Sequence, residues 1–220
     1  MHMHTHGHES SAQTEGRLIR WASFYDALTN IMTLGQADRL RRMTVEQALL
    51  QSGETLLDVG CGTGGVTIPA KKQVGESGSV AGIDPAPEMI AVARRKAKRA
   101  GIEIDFRIGV IESLPFPDET FDVVTSSLMM HHLPQHLQVR GLAEIWRALK
   151  PGGRLLIADM MRLNTPFLKR FFIPLAFHHG LQFGIEDLPK LLKDADFEEI
   201  KQLEARFLTI GFVRATKPAA

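Results

Sequence analysis

Short apolar runs alternate with longer stretches of helical periodicity along most of this chain. Leu56, Leu57 and Val59, then residues 80–83, 104–108, 121–126 and 154–159, have the length and composition of buried parallel strands. Between them, residues 85–100 carry Ile90, Ala93 and Ala97 on one helical face, and residues 137–150 carry Leu142, Ile145, Trp146 and Leu149. Pro87 and Glu88 suit the first turn of the former helix, and Pro151, Gly152 and Gly153 stop the latter. Strands separated by helices at this spacing predict right-handed βαβ units and a doubly wound parallel sheet. The end of the chain breaks that rhythm. After a helix near residues 188–195 come two strands, 199–203 and 207–215, with only Glu204, Ala205 and Arg206 between them. So short a link cannot hold a crossover helix, and the last strand is expected to pair antiparallel. The predicted fold is α/β: a doubly wound, Rossmann-like, mostly parallel sheet of seven strands with a terminal antiparallel hairpin.

Residues 16–51 read as helical. Trp21, Phe24, Tyr25 and Leu28 recur at i, i+3, i+4 and i+7, and Leu40, Met43, Ala48 and Leu49 form a second apolar stretch, with Arg39, Arg41 and Arg42 outside it. Such helices either pack on the sheet or form a lid, with Tyr25 and Asp26 reaching into a cleft. Residues 162–184 are the most aromatic stretch, with Phe167, Phe171, Phe172, Phe177 and Phe183 around His178 and His179. They are expected as an acceptor-side insertion, part core and part pocket wall. Residues 1–15 carry His2, His4, His6 and His8 at alternate positions and read as a disordered leader. No partner ligands follow nearby, so no metal site is expected. Residues 16–220 then form one domain.

Composition narrows the picture further. At 220 residues the chain can bury a full core, and a net charge of +1 offers no excess to suit a nucleic-acid polyanion. Cys61 is the single cysteine, which excludes an internal disulfide and suits a reducing cytoplasm. The polar, histidine-rich start of the sequence is not expected to act as a signal peptide, and the apolar patch at residues 171–177 contains Pro174 and is too short to span a bilayer. The oligomeric state is not readable.

The candidate chemistry concentrates at residues 56–70. Asp58 interrupts the apolar run, and Gly60, Gly62, Gly64 and Gly65 then permit a tight turn with positive φ and close approach of a ligand. Val66, Ile68 and Ala70 can open a helix whose first N–H groups face whatever lies above. Gly60, Gly62 and Gly65, with Asp84 about 20 residues on, satisfy a dinucleotide-binding fingerprint. The same letters also read D-x-G-x-G-x-G from Asp58. Taken with GIDPAPEMIAVARRKA, LPFPDETFDVVTSSLMMHHL and RALKPGGRLLIADM in that order, LLDVGCGTGG resembles the class I S-adenosylmethionine-dependent methyltransferases over residues 56–160. Within them the chain is most similar to the small-molecule methyltransferases of the ubiquinone/menaquinone-biosynthesis type. ASFYDALTNIM and DADFEEIKQLEARFLTIGFVRATKP contribute to that likeness.

The resemblance implies S-adenosylmethionine as cofactor. Gly60 and Gly62 would run beneath its methionine part, with Thr63 beside the carboxylate and Asp58 near the ammonium. Asp84 would hold the ribose hydroxyls, Pro85 or Met89 would flank the adenine, Val110 and Ile111 would meet its edge, and Ser127 would border the methionine tail. Family members often carry Asp or Asn where this chain has Val110. A valine cannot accept a hydrogen bond from the adenine amino group, so the backbone of Ile111 or the carboxylate of Glu112 would have to. The implied acceptor is a small, hydrophobic molecule methylated at carbon or oxygen, and peripheral contact with a membrane is compatible with it. No Asp/Asn-Pro-Pro-Tyr sequence follows strand four, which argues against a DNA substrate.

A sulfonium-bound methyl group is already activated, so placing the acceptor supplies much of the acceleration. A base is needed only when the acceptor keeps its proton until attack. His131 and His132, just after strand four, and Tyr25 on the lid are the candidates, the competing role for the histidines being a helix cap or a packing contact. Two other functions fit parts of the pattern. A non-catalytic module that binds S-adenosylmethionine is compatible with Val110 and with the lack of an unmistakable base. An NAD-dependent oxidoreductase fits the glycines but not the terminal hairpin.

Overall fold

The computed structural model describes residues 14–15, 26, 29–31, 33–162 and 183–219. Tyr25, the rest of the stripe from Trp21 to Leu28 apart from Asp26, and most of the aromatic insertion lie outside the described residues. In chain order the elements are helix α1 (Ala37–Gln47), strand β1 (Thr55–Val59), α2 (Thr67–Val74), β2 (Ser79–Asp84), α3 (Pro87–Arg99), β3 (Asp105–Ile108) and β4 (Phe121–Ser127). A 3₁₀ turn (Met130–His132) leads into α4 (Gln135–Ala148) and β5 (Leu149–Met160), and a second 3₁₀ turn (Ile185–Asp187) leads into α5 (Leu188–Asp194), β6 (Glu198–Gln202) and β7 (Ile210–Thr216).

These strands form one seven-stranded sheet in the order β3-β2-β1-β4-β5-β7-β6. Strands β1 to β5 run parallel, and β7 lies antiparallel between β5 and β6. The chain winds outward from β1 in one direction and returns to start β4 on its other side. That reversal opens a crevice above the carboxyl ends of β1 and β4.

The two-residue period of the strands divides the core into two layers. Leu57 and Val59 pack with Leu142 and Ile145 of α4 and with Leu188 and Leu192 of α5. Leu56 points the other way, onto Leu40 and Val45 of α1 and Ala70 and Val74 of α2. Each such fully buried aliphatic side chain contributes about 1.5–3 kcal/mol relative to exposure. Asp58 shares a face with Leu56, which carries a carboxylate into the core.

The two largest boundary differences from the sequence reading have different causes, one a remote pairing and the other a local turn. Strand β5 begins at Leu149, ahead of the expected glycine stop, because Leu149 pairs with Phe121 of β4, and the tail holds the glycines: Lys217 donates its backbone N–H to Gly153 at 2.8 Å, and Gly152 donates to Lys217 at 3.0 Å. Strand β7 begins at Ile210 and not at Phe207. Phe207 and Ile210 exchange both backbone hydrogen bonds, at 2.9 and 2.8 Å, and close a turn through Leu208 at φ 54°. The link between β6 and β7 is therefore longer than expected, while the antiparallel pairing stands.

The amino edge of the sheet is tied by paired charges. Asp122 accepts hydrogen bonds from the Thr55 N–H (2.8 Å), the Thr55 hydroxyl (2.6 Å) and Lys150 Nζ (2.8 Å), anchoring the start of β4. Arg154 donates to both carboxylate oxygens of Glu54, at 2.8 and 2.6 Å. Among the described residues, no helix is long and apolar enough to cross a membrane.

Candidate functional site

Strand β1 breaks directly into the glycine turn. Gly60, Gly62 and Gly64 adopt φ of 74°, 52° and 81°, a region that disfavours any side chain. A Cβ on Gly60 would also lie 2.6 Å from Met129 Cγ. The amides of Gly60 and Cys61 both donate to the Ile83 carbonyl at 2.9 Å, which pins the turn to the end of β2. There Asp84 accepts the N–H groups of Gly62 (3.0 Å) and Ala86 (2.9 Å). Burial pushes its carboxyl up to about 6, with the two amides pulling the other way and Asp58 adding a like charge.

A pocket opens above this turn. Its wall brings together Gly60, Gly62, Asp84, Pro85, Met89, Val110, Ile111, Glu112 and Ser127 with His132. Asp58 and Thr63 line an adjoining pocket that shares Gly60 and Ser127 with the first. Asp58 is 1% exposed, and its two oxygens accept the Thr67 hydroxyl at 2.7 Å and the Thr125 hydroxyl at 2.9 Å. Burial dominates these bonds and pushes its carboxyl up to about 6. Cys61 sits beneath the turn, its thiol pushed well up by burial and by Asp58 and Asp84, a state that suits packing and not nucleophilic attack.

Several partners at the site escaped the sequence reading, although Asp26 itself was expected to reach into a cleft. Asp26 accepts hydrogen bonds from the Thr63 hydroxyl (2.8 Å), Lys96 Nζ (2.5 Å) and Arg41 Nη2 (3.1 Å). Burial alone would raise the Asp26 carboxyl, but Lys96, Thr63 and Arg41 outweigh it and hold the group below its usual range. Arg41, read from sequence as facing outward, instead lies on Gly65 and lines the adjoining pocket. Lys96, one of a run of basic residues on α3, turns to the same carboxylate. At the other end of the pocket Thr14, within the stretch read as a leader, donates to Glu112 Oε1 at 2.6 Å. Glu112 Oε2 is buried without a hydrogen-bond partner, and Val110 beside it has only an apolar side chain to offer.

The two histidines occupy different positions. His132 lines the pocket; His131 stands behind it, with Nδ1 2.5 Å from Oδ1 of Asp159. Their rings are 3.9 Å apart and tilted by 45°. Asp159 is the penultimate residue of β5 and was read from sequence only as the last residue of a strand.

Residues 56–153 match the family model described as a methyltransferase domain. The demethylmenaquinone methyltransferase of Lactococcus lactis is 35% identical over 201 residues, covering 87% of this chain and 79% of that protein. The corresponding protein of Symbiobacterium thermophilum is 33% identical over 206 residues, covering 87% and 81%. The chain belongs to this family of class I S-adenosylmethionine-dependent methyltransferases. In fold it is similar to a methyltransferase structure from Aquifex aeolicus, with a TM-score of 0.71, 24% identity and coverage of 89% and 97% of the two chains. As a methyltransferase of this class it takes S-adenosylmethionine as cofactor, and its residues fit that molecule. The turn leaves backbone open where a Cβ would intrude, two buried carboxylates stand ready for a cationic ligand, and Glu112 has an unused acceptor for a donor.

Proposed function

We propose that this methyltransferase transfers its methyl group to a quinone-type acceptor, of the class that names its demethylmenaquinone relatives, at a ring carbon or oxygen. The observation that carries the site assignment is the pair of carboxylates, Asp58 and Asp84, both raised to about 6 at the mouth of the glycine turn. Among the described residues neither has a cationic partner, and S-adenosylmethionine brings two positive centres to such a place.

When bound, the cofactor supplies a methyl group on sulfonium sulfur. Asp84 takes the ribose hydroxyls, Gly60 and Gly62 pass beneath the methionine part, and Asp58 favours the ammonium through the turn. Thr63, with Arg41 beside it, meets the carboxylate, and Ser127 borders the methionine tail. Pro85 and Met89 flank the adenine, while the Ile111 backbone and Glu112 replace the acceptor that Val110 lacks. His132 faces the acceptor; Tyr25 and most of residues 162–184, expected on the acceptor side, lie outside the described residues. The enzyme works in the cytoplasm and touches a membrane surface to reach an apolar acceptor.

Calorimetric titration with S-adenosylmethionine and with NAD tests the cofactor half, and transfer of labelled methyl to reduced demethylmenaquinone tests the acceptor half. Binding of S-adenosylmethionine alone, followed by label in the quinone, is the expected outcome. Tight binding without transfer to any quinol would make the chain a silent binding module.

A further inference from the structure

The buried carboxylate at the end of β5 has no part in the assignments above. Asp159 is 0% exposed. Its Oδ1 meets His131 Nδ1 at 2.5 Å and the Met160 N–H at 2.7 Å, while Oδ2 accepts the His131 backbone N–H at 3.3 Å. A carboxylate withdrawn from water is costly unless its oxygens are engaged. Here both oxygens hold one residue, His131, by its ring and by its backbone. An Nδ1–H donated to the carboxylate fixes the tautomer and leaves Nε2 as the ring's acceptor. The ring so fixed rests 3.9 Å from that of His132, the member of the pair that lines the pocket beside Ser127 and Met129. His131, with its side chain 10% exposed, is the inner member.

We infer that Asp159 is the positioning residue of the His131–His132 pair, and that through His131 it holds His132 where the acceptor's proton must go. This rests on the function proposed above. The acceptor forms the new bond to the methyl carbon, the electron pair of the broken bond stays on sulfur, and the proton released passes to a ring nitrogen of His132 and on to water.

The first test needs neither cofactor nor acceptor: ring-nitrogen NMR of the histidines in the wild-type chain and in Asp159→Asn. The expected result is a strongly hydrogen-bonded Nδ1–H at His131 that is lost in the variant, with the His132 ring signals shifting too; unmoved His132 signals overturn the inference. With reduced demethylmenaquinone, Asp159→Asn should lower kcat by about 10–100-fold, less than the roughly 10²–10⁴-fold of a whole general-base contribution because the base itself remains. Affinity for S-adenosylmethionine and KM for the quinol should stay within about twofold, and His131→Asn should give the same loss, with no further loss in the double variant. A kcat close to wild type overturns the inference. If Asp159→Asn does not fold, His131→Asn alone carries the same kcat-against-affinity split. If the wild-type chain does not methylate the quinol, the acceptor reading falls, and the ring signals still decide the role of Asp159.

Discussion

Two pairs of acidic side chains, one at each edge of the same sheet, are treated in opposite ways. At the amino edge, burial tends to raise Asp122, but Lys150 and Thr55 overcome it and hold the carboxyl below its usual range. Glu144 of α4 is likewise held down, chiefly by Arg147. At the carboxyl edge Asp58 and Asp84 are both pushed up to about 6, burial dominating, with hydroxyl and amide partners in place of cations. An acid paired within the fold serves the fold. Acids desolvated beside an open glycine turn, with their counter-charges left out, mark where a cationic ligand belongs.

The sharpest way to break this contrast is to remove one acid from each edge. Asp84→Ala should weaken S-adenosylmethionine by about 3 kcal/mol, or about 100-fold, the loss of charge-assisted hydrogen bonds to two hydroxyls. Asp122→Ala should leave that affinity within about twofold. Calorimetry on the two variants checks both, and equal losses would end the distinction between the edges.

The same pair read for stability should reverse. Asp122→Ala removes the acceptor of the Thr55 N–H and hydroxyl and the partner of Lys150, so urea unfolding should show a loss of about 2 kcal/mol. Asp84→Ala should cost far less at neutral pH.

Most of the architecture that makes these edges was legible in the sequence, and the misses at the site share a cause. The strand ahead of Gly60 is an apolar run, the helix at Pro87 has its own start signals, and the hairpin follows from a link too short for a helix. Each of these is encoded within about a dozen neighbouring residues. What escaped depends on partners remote in the chain. Lys96 belongs to a basic run on one helix, and only a carboxylate 70 positions away turns it inward. Arg41 on α1 meets the same group. Asp159 finds His131 28 positions back. Local periodicity carries no record of such pairings. Gly60, Gly62 and Asp84 were readable because one turn sets both their spacing and their chemistry.

Acidity sharpens the contrast through its sign. Asp58 has a folded value of about 6 against an ordinary 3.8, so its contribution to stability is fully present below 3.8 and lost as pH rises through 6. Relative to wild type, Asp58→Asn should therefore gain on the order of 2 kcal/mol in unfolding free energy as pH goes from 4 to 7. Asp122, lowered, contributes stability above 3.8 that is lost as pH falls through its folded value, so Asp122→Ala should lose its disadvantage in acid. Affinity for S-adenosylmethionine should rise with pH through 6, because the ionised forms of Asp58 and Asp84 attract the ligand. Unfolding and calorimetry across pH 4–8 separate the two trends. A variant series with parallel curves would show that burial is not what raises these acids.

The smallest expected effect concerns a third carboxylate on the carboxyl edge. Glu112 spends one oxygen on Thr14 and keeps the other buried and unpartnered, while Val110 beside it has no acceptor at all. If Glu112 reads the adenine amino group, Glu112→Ala should weaken S-adenosylmethionine by about 2–10-fold, the net worth of one hydrogen bond. The Thr14 contact is lost in that variant too, so a single substitution cannot separate the two. Adding Val110→Asp restores an adenine acceptor without restoring the Thr14 contact. Recovery of affinity in Glu112→Ala/Val110→Asp would tie the loss to the adenine, whereas a persistent loss would tie it to Thr14 and take the adenine role from Glu112.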